Sequence, residues 1–222
     1  MEARGLPAAV LAAASDRRGG ALEVAATALD GLLEVADDPS LLERSVTALL
    51  AGQPAMAPIW HLARAARAPD PPAALAALRH HLAADADAAV AAATTWVQDR
   101  LAARPGAVAT VSHSSLVDRV LARVGPTSVP GDPVVGVVGA DAVGPGALLN
   151  AVGTRELVGR VPTLVVATAV KLVPAEVFGR LGGEGFEAVP LEAVATVVVG
   201  AEVLSPAEAG RRARELAAPP RA

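Results

Sequence analysis

Val134-Val135-Gly136-Val137-Val138-Gly139-Ala140-Asp141 is a short apolar run that closes on small residues and a carboxylate. Its apolar residues do not alternate with polar ones, so both faces of the strand it predicts are covered, as in a parallel sheet with helices on it. Reading outward, Val108 to Val111 is a second short strand, followed by a helix over Ser114 to Val124. On the other side a helix starts near Thr154, and Thr163 to Ala167 and Thr196 to Val199 are further strands. Ser205-Pro206 then opens a last helix that runs to about Ala217. Strands alternating with helices predict an α/β protein with a parallel, doubly wound sheet.

Before residue 105 the chain has a different character. Leu22, Ala25, Ala26, Leu29, Leu32 and Leu33 form one stripe over Gly20 to Ala36, and Asp37-Asp38-Pro39-Ser40 ends it and caps a second helix over Ser40 to Leu50. Pro69-Asp70-Pro71-Pro72 starts a long amphipathic helix carrying Leu75, Leu78, Leu82, Ala86, Val90, Val97 and Leu101, which stops at Arg104-Pro105-Gly106. A helical region over 1–104 and an α/β region over 105–222 follow, with the long helix joining them. No internal repeat is visible.

Composition narrows the function. Nineteen basic against 23 acidic residues give a net charge of −4, so the basic footprint of a nucleic-acid binder is missing. Aromatic residues are 2% of a chain that is 53% hydrophobic, which disfavours base stacking and assigns the core to Ala, Leu and Val. The chain has no cysteine, hence no disulfide, thiolate nucleophile or cysteine-held metal. No uncharged apolar run reaches the ~18 residues of a membrane span. The Leu6 to Ser15 stretch is weakened as a secretory signal by Glu2 and Pro7 and reads as a first helix. A cytoplasmic protein without membrane contact is expected.

In a parallel sheet, ligands sit beyond the carboxyl ends of the strands. The polar residues there are Ser112, His113 and Ser114, then Asp141, then Thr168 and Lys171, then Glu202. Lys171 is the only lysine in the chain and Asn150 the only asparagine. A desolvated carboxylate at Asp141 suits a general acid or base, and it equally suits a helix cap. Gly153 and Thr154 open a helix whose amides can receive a phosphate. Lys171 can supply charge to a phosphate, or can serve as the partner of Asp141 or Glu202 in a structural ion pair.

Other chemistries fail on spacing. The chain has no Gly-x-x-x-x-Gly-Lys loop, no Gly-x-Gly-x-x-Gly after a strand, no Gly-x-Ser-x-Gly and no His-Glu-x-x-His. His80 and His81 are helix neighbours that point apart, His61 beside Trp60 reads as packed, and Ser112 and His113 alternate across a strand rather than meeting as nucleophile and base. No metal site and no cofactor are implied.

Three ordered segments carry a resemblance: Val138-Gly139-Ala140-Asp141-Ala142-Val143, Asn150-Ala151-Val152-Gly153-Thr154 and Ala167-Thr168-Ala169-Val170-Lys171-Leu172-Val173-Pro174. They resemble successive motifs of the initiation factor 2B superfamily, which includes the α, β and δ subunits of that factor and the methylthioribose-1-phosphate and ribose-1,5-bisphosphate isomerases. Thr110 to Ser115, Asp16 to Ala21, Gln53-Pro54-Ala55-Met56 and Phe186-Glu187-Ala188-Val189-Pro190 are similar to its other signatures. The resemblance implies an N-terminal helical region, a reduced Rossmann-like parallel sheet flanked by helices, and homodimers built through the α/β region. It places the aspartate of the family's isomerases on Asp141 and their cysteine on Ser112; Asn150, Gly153, Thr154 and Lys171 are the expected substrate contacts from their places near strand ends and at the helix start. The departures are Ser112, a hydroxyl too weakly acidic to stand in for a thiol, Ala151 where the family has lysine, and the short stretch from Leu116 to Val138, which lacks room for the family's arginine-bearing strand and helix.

Two functions are therefore expected in order. The first is a dimeric, non-catalytic or weakly catalytic binder of a phosphorylated sugar or nucleotide. The second is an aldose–ketose isomerase on a ribose-type 1-phosphate, with Asp141 and Ser112 at its catalytic positions.

Overall fold

The computed structural model of the chain describes residues 5–111, 114–125 and 132–216. Contacts divide it into two compact units that meet in sequence between Ala83 and Ala84. Helices α1 (Ala8–Ser15), α2 (Ala21–Leu33), α3 (Pro39–Gly52) and α4 (Ala57–Ala66) and the first half of α5 (Pro71–Ala103) make up the first unit. Its core is aliphatic, with Leu29, Leu32, Leu49, Ile59, Leu62 and Leu75 essentially without exposure. Asp38 accepts from the Leu41 amide at 3.0 Å and Pro39 takes the first helical position, so the cap lies two residues ahead of Ser40.

Two of the signature segments meet inside this unit. The buried Gln53 side chain donates to the carbonyls of Ala13 (2.7 Å) and Asp16 (2.6 Å), closing the end of α1. Asp16 accepts from the amides of Arg18 and Gly19, which hold its carboxyl below the usual range. These segments staple helix ends together.

The second unit continues with β1 (Ala107–Ala109), α6 (Ser115–Val124), β2 (Pro133–Val138), β3 (Ala142–Val143), β4 (Ala147–Ala151), α7 (Thr154–Arg160), β5 (Thr163–Ala167), α8 (Ala175–Phe178), β6 (Phe186–Pro190), β7 (Thr196–Val199), β8 (Glu202–Leu204) and α9 (Pro206–Glu215). The strands predicted at 163–167 and 196–199 stand where the sequence put them, and Ser205 caps α9 through a reciprocal exchange with Glu208.

A five-stranded sheet runs β1-β2-β5-β7-β8, parallel except for the last strand, which is antiparallel to β7. This is the expected α/β fold with one correction. The parallel strands add in chain order in a single direction, so the sheet has no reversal of order and is not doubly wound. A ligand crevice of the kind that forms where strand order reverses is consequently absent from the described sheet.

A second, antiparallel sheet, β3-β4-β6, was not foreseen. It grows from the carboxyl end of β2, and the Val143 carbonyl accepts from the Val173 amide at 2.9 Å beyond the end of β5. Its backbone thus lies against the strand ends that carry the candidate site. α9 supports the hairpin from below through Arg214, which donates to the Pro145 carbonyl at 3.1 Å.

Candidate functional site

Asp141 and Lys171 are joined by the path of the backbone. The parallel bridge between Val143 and Leu172 sets the β3 segment beside residues 169–173, bringing the strand ends of β2 and β5 to neighbouring positions. The Asp141 amide donates to the Leu149 carbonyl at 2.8 Å, which puts Asp141 alongside the part of β4 that carries Asn150. Asp141, Asn150 and Lys171 therefore occupy adjoining segments at one edge. Asn150 lies within β4.

Burial sets the electrostatics. Lys171 is 5% exposed, flanked by Val170 and Leu172 and near apolar Val143 and Val173. Desolvation pulls its ammonium down to about 8, against the opposing pull of the Asp141 carboxylate. Asp141 is pushed the other way: burial raises its carboxyl, and the Lys171 charge only partly offsets this. Each charge stabilises its neighbour less than the surroundings penalise it. Among the described residues no carboxylate lies within direct ion-pair distance of Lys171, and Glu202, at the start of β8, is engaged elsewhere, by Arg212 of α9.

The turn that carries Lys171 is held from α5. Asp85 accepts from the Ala169 amide at 2.6 Å, and the Lys171 amide closes a single helical turn on the Thr168 carbonyl at 2.9 Å. The same Asp85 carboxylate lies against Gly200, which follows β7 at φ +56°; a Cβ there would overlap it. Thr168 is fully buried, and its hydroxyl has no hydrogen-bond partner among the described residues. An orphaned hydroxyl at a strand end is costly unless a ligand or water completes it.

The start of α7 is already occupied. Glu187, paired with Asn150 across β4 and β6, accepts from the amides of Gly153 (2.9 Å) and Arg155 (2.8 Å). Gly153 stands at φ +102°, the conformation that turns those amides inward. Asn150 donates to the Thr154 hydroxyl at 2.9 Å, and that hydroxyl donates to the Ala151 carbonyl at 2.7 Å. Gly153 and Thr154 are thus committed to an internal network, with a protein carboxylate on the amides where a phosphate was expected.

Ser112 and His113 lie outside the described residues. Their neighbours Val111 and Ser114 approach Gly153 and Gly139 respectively, so the end of β1 borders the same edge. His80 and His81 have ring centroids 6.4 Å apart and are exposed, and the described residues hold no group of three ligating side chains suited to a metal. Asp85 and Glu187 escaped the sequence reading. Asp85 looks like Asp87 two residues on, and Glu187 is meaningful only once β6 is paired with β4.

No helix among the described residues is long and apolar enough to cross a membrane. Neither a protein-family profile nor a curated protein sequence matches the chain. Solved structures do match its fold. The translation initiation factor eIF-2B of Pyrococcus horikoshii OT3 superposes with a TM-score of 0.67 at 15% identity, over 90% of this chain and 96% of that one. The tetrameric eIF2B-beta2-delta2 complex of C. thermophilum gives 0.66 at 14% identity, over 91% of each chain. The 5-methylthioribose 1-phosphate isomerase of P. horikoshii OT3 gives 0.60 at 13% identity, over 93% and 86%. The chain has the fold shared by these factors and this isomerase.

Proposed function

We propose that the chain is an initiation factor 2B-like protein that binds a phosphorylated sugar or nucleotide at the Asp141–Lys171 edge and turns it over weakly or not at all. The observation that carries this reading is a single buried lysine at a strand end, beside a carboxylate but out of direct ion-pair contact. A buried cation without a close counter-ion is stabilised by any anion that reaches it. Lys171 then receives the phosphate, Asp141 accepts hydrogen bonds from hydroxyls, and Asn150 acts from β4, tied by Thr154. The amides at Gly153 and Arg155 contribute little to phosphate, since Glu187 already holds them.

Weak catalysis follows from Ser112 standing where the resemblance implies a cysteine. One observation favours the isomerase alternative: burial raises the proton affinity of the Asp141 carboxyl, the direction that suits a group that gives and takes protons. Turnover of a ribose-type 1-phosphate, assayed on any ligand that binds, decides between the two readings.

The binding reading is tested with Lys171→Met. Thermal stabilisation by sugar phosphates and nucleotides disappears in this variant, while the melting temperature without ligand stays within a few degrees, because losing the buried ammonium and isolating Asp141 offset each other. An unchanged ligand response places the site elsewhere. We also propose that the protein is a dimer through its α/β region, as the resemblance implies; Val203, 52% exposed on edge strand β8, is apolar surface of the kind a partner covers. Light scattering at micromolar concentration reads a dimer mass if this is right and a monomer mass if it is not.

A further inference from the structure

We propose that Asp85 is the positioning residue of Lys171: through the Ala169 amide it fixes the turn from which the lysine meets a phosphorylated ligand. This role rests on the reading of Lys171 as the phosphate contact and supplies what holds that contact in place. Asp85 acts through the backbone and needs no contact with the ligand.

The turn is anchored on both sides of Lys171. Ahead of it, Asp85 Oδ2 on α5 accepts from the Ala169 amide at 2.6 Å. After it, the Val173 amide donates to the Val143 carbonyl at 2.9 Å. Between these anchors the Lys171 and Leu172 amides close on the carbonyls of Thr168 (2.9 Å) and Ala169 (3.1 Å), the internal bonding of a three-residue 3₁₀ turn. So short a turn does not hold its own place, and its anchors decide where Lys171 stands.

Asp85 does what the local residue does not. Thr168 stands at the cap position of the turn, yet its hydroxyl caps no amide there and is buried without a partner among the described residues. A cap from Thr168 would order the turn only within itself. A carboxylate 84 positions away in sequence instead fixes it to a separate element. The same carboxylate lies against Gly200, whose missing Cβ makes the room and whose amide donates to the Ala167 carbonyl at 3.1 Å. One side chain thus fixes the turn relative to α5 and to the end of β7. Asp87 pairs with Arg119 of α6, whereas among the described residues no basic side chain lies within ion-pair distance of Asp85. Its bond to the amide is of the charge-assisted, stronger kind. Without it the exposed Ala169 amide turns to water and the turn loses its anchor ahead of Lys171.

Because Lys171 is the only lysine, intact protein made with lysine carrying carbon-13 at Cε gives one side-chain signal by NMR, readable without ligand. Asp85→Ala is expected to split that signal or move it towards its position in the urea-unfolded chain. Asp85→Asn keeps an acceptor oxygen for the Ala169 amide and should restore the native signal. Leu32→Ala, a loss of stability in the helical core, should leave the signal in place, which separates positioning from stability. Ala169→Pro removes the donor of the same bond at a first-turn position that tolerates proline, after an extended Thr168, so it reads the contact even if Asp85→Ala does not fold. Ribose 5-phosphate and adenosine monophosphate are then titrated on the same signal. Binding should be roughly tenfold weaker in Asp85→Ala and Ala169→Pro, and within about twofold of native in Asp85→Asn. A native signal in Asp85→Ala or Ala169→Pro, no restoration in Asp85→Asn, or an equal change in Leu32→Ala would each overturn the proposal. If neither probe moves the native signal, the phosphate reading falls, while the ligand-free spectra still decide whether Asp85 positions Lys171.

Discussion

The helical unit and the strand-end edge of the α/β unit are built on opposite principles. In the first, Leu29, Leu32, Leu49 and Leu62 fill an aliphatic core, and the buried Gln53 side chain closes a helix end. At the edge, Lys171, Asn150, Thr154 and Thr168 are all buried, the Thr168 hydroxyl lacks a partner among the described residues, and two ionisable groups are shifted against their preference. The first arrangement is what stability alone selects. The second costs stability, and that cost, concentrated at strand ends, is what supports the proposed site.

The largest effect that tests this contrast is in the helical core. Leu32→Ala removes a fully buried side chain and is expected to lower unfolding free energy by about 3 kcal/mol, within the ~2–5 typical of such truncations. Chemical denaturation measures it, and native ligand response in the folded variant should persist. Loss of that response in the folded variant would break the division of labour.

The edge should instead respond to pH. Lys171 titrates at about 8 folded and near its ordinary 10.5 unfolded, so the unfolded chain binds more protons between those values and stability rises with pH across that window. Relative to Lys171→Met, the wild-type protein should gain roughly 3 kcal/mol between about pH 8 and pH 10.5. Urea titrations of both proteins at the two ends measure the difference, and a constant gap would show that Lys171 is solvated.

The smallest effect sharpens the role of the pinned turn. Gly200→Ala strains a left-handed residue and drives a methyl into the Asp85 carboxylate, costing about 1–2 kcal/mol. Asp85→Ala in the same chain should recover the steric part, read as a non-additive double-mutant cycle.

Much of the α/β scaffold was legible because its signals are local. Val134 to Val138, Thr163 to Ala167 and Thr196 to Val199 are β-branched runs bounded by Gly, Pro or Ala, and the Ser205-Pro206 start is a cap with its Glu three residues on. β4 escaped because Ala147-Leu148-Leu149-Asn150-Ala151 has no β-branched residue; it is a strand because β3 and the distant β6 pair with it. The order of the parallel strands was equally out of reach, since alternation of strands and helices is the same for a sheet that reverses and one that does not.

The candidate site divides the same way. Asp141, Asn150 and Lys171 were identifiable by their place after apolar runs and by the rarity of Lys and Asn in this chain. Glu187 on the amides of Gly153 and Arg155, and Asp85 on Ala169, depend on contacts between residues 32 to 84 positions apart. The sequence by itself determined which segments are helix or strand and which polar residues stand at strand ends, because those follow from local periodicity and turn chemistry. Only the tertiary structure decided that Glu187 fills the α7 start and that Lys171 is buried without a direct counter-ion among the described residues. Burial and pairing depend on which distant chain segments come to lie beside a residue, and no local pattern encodes that.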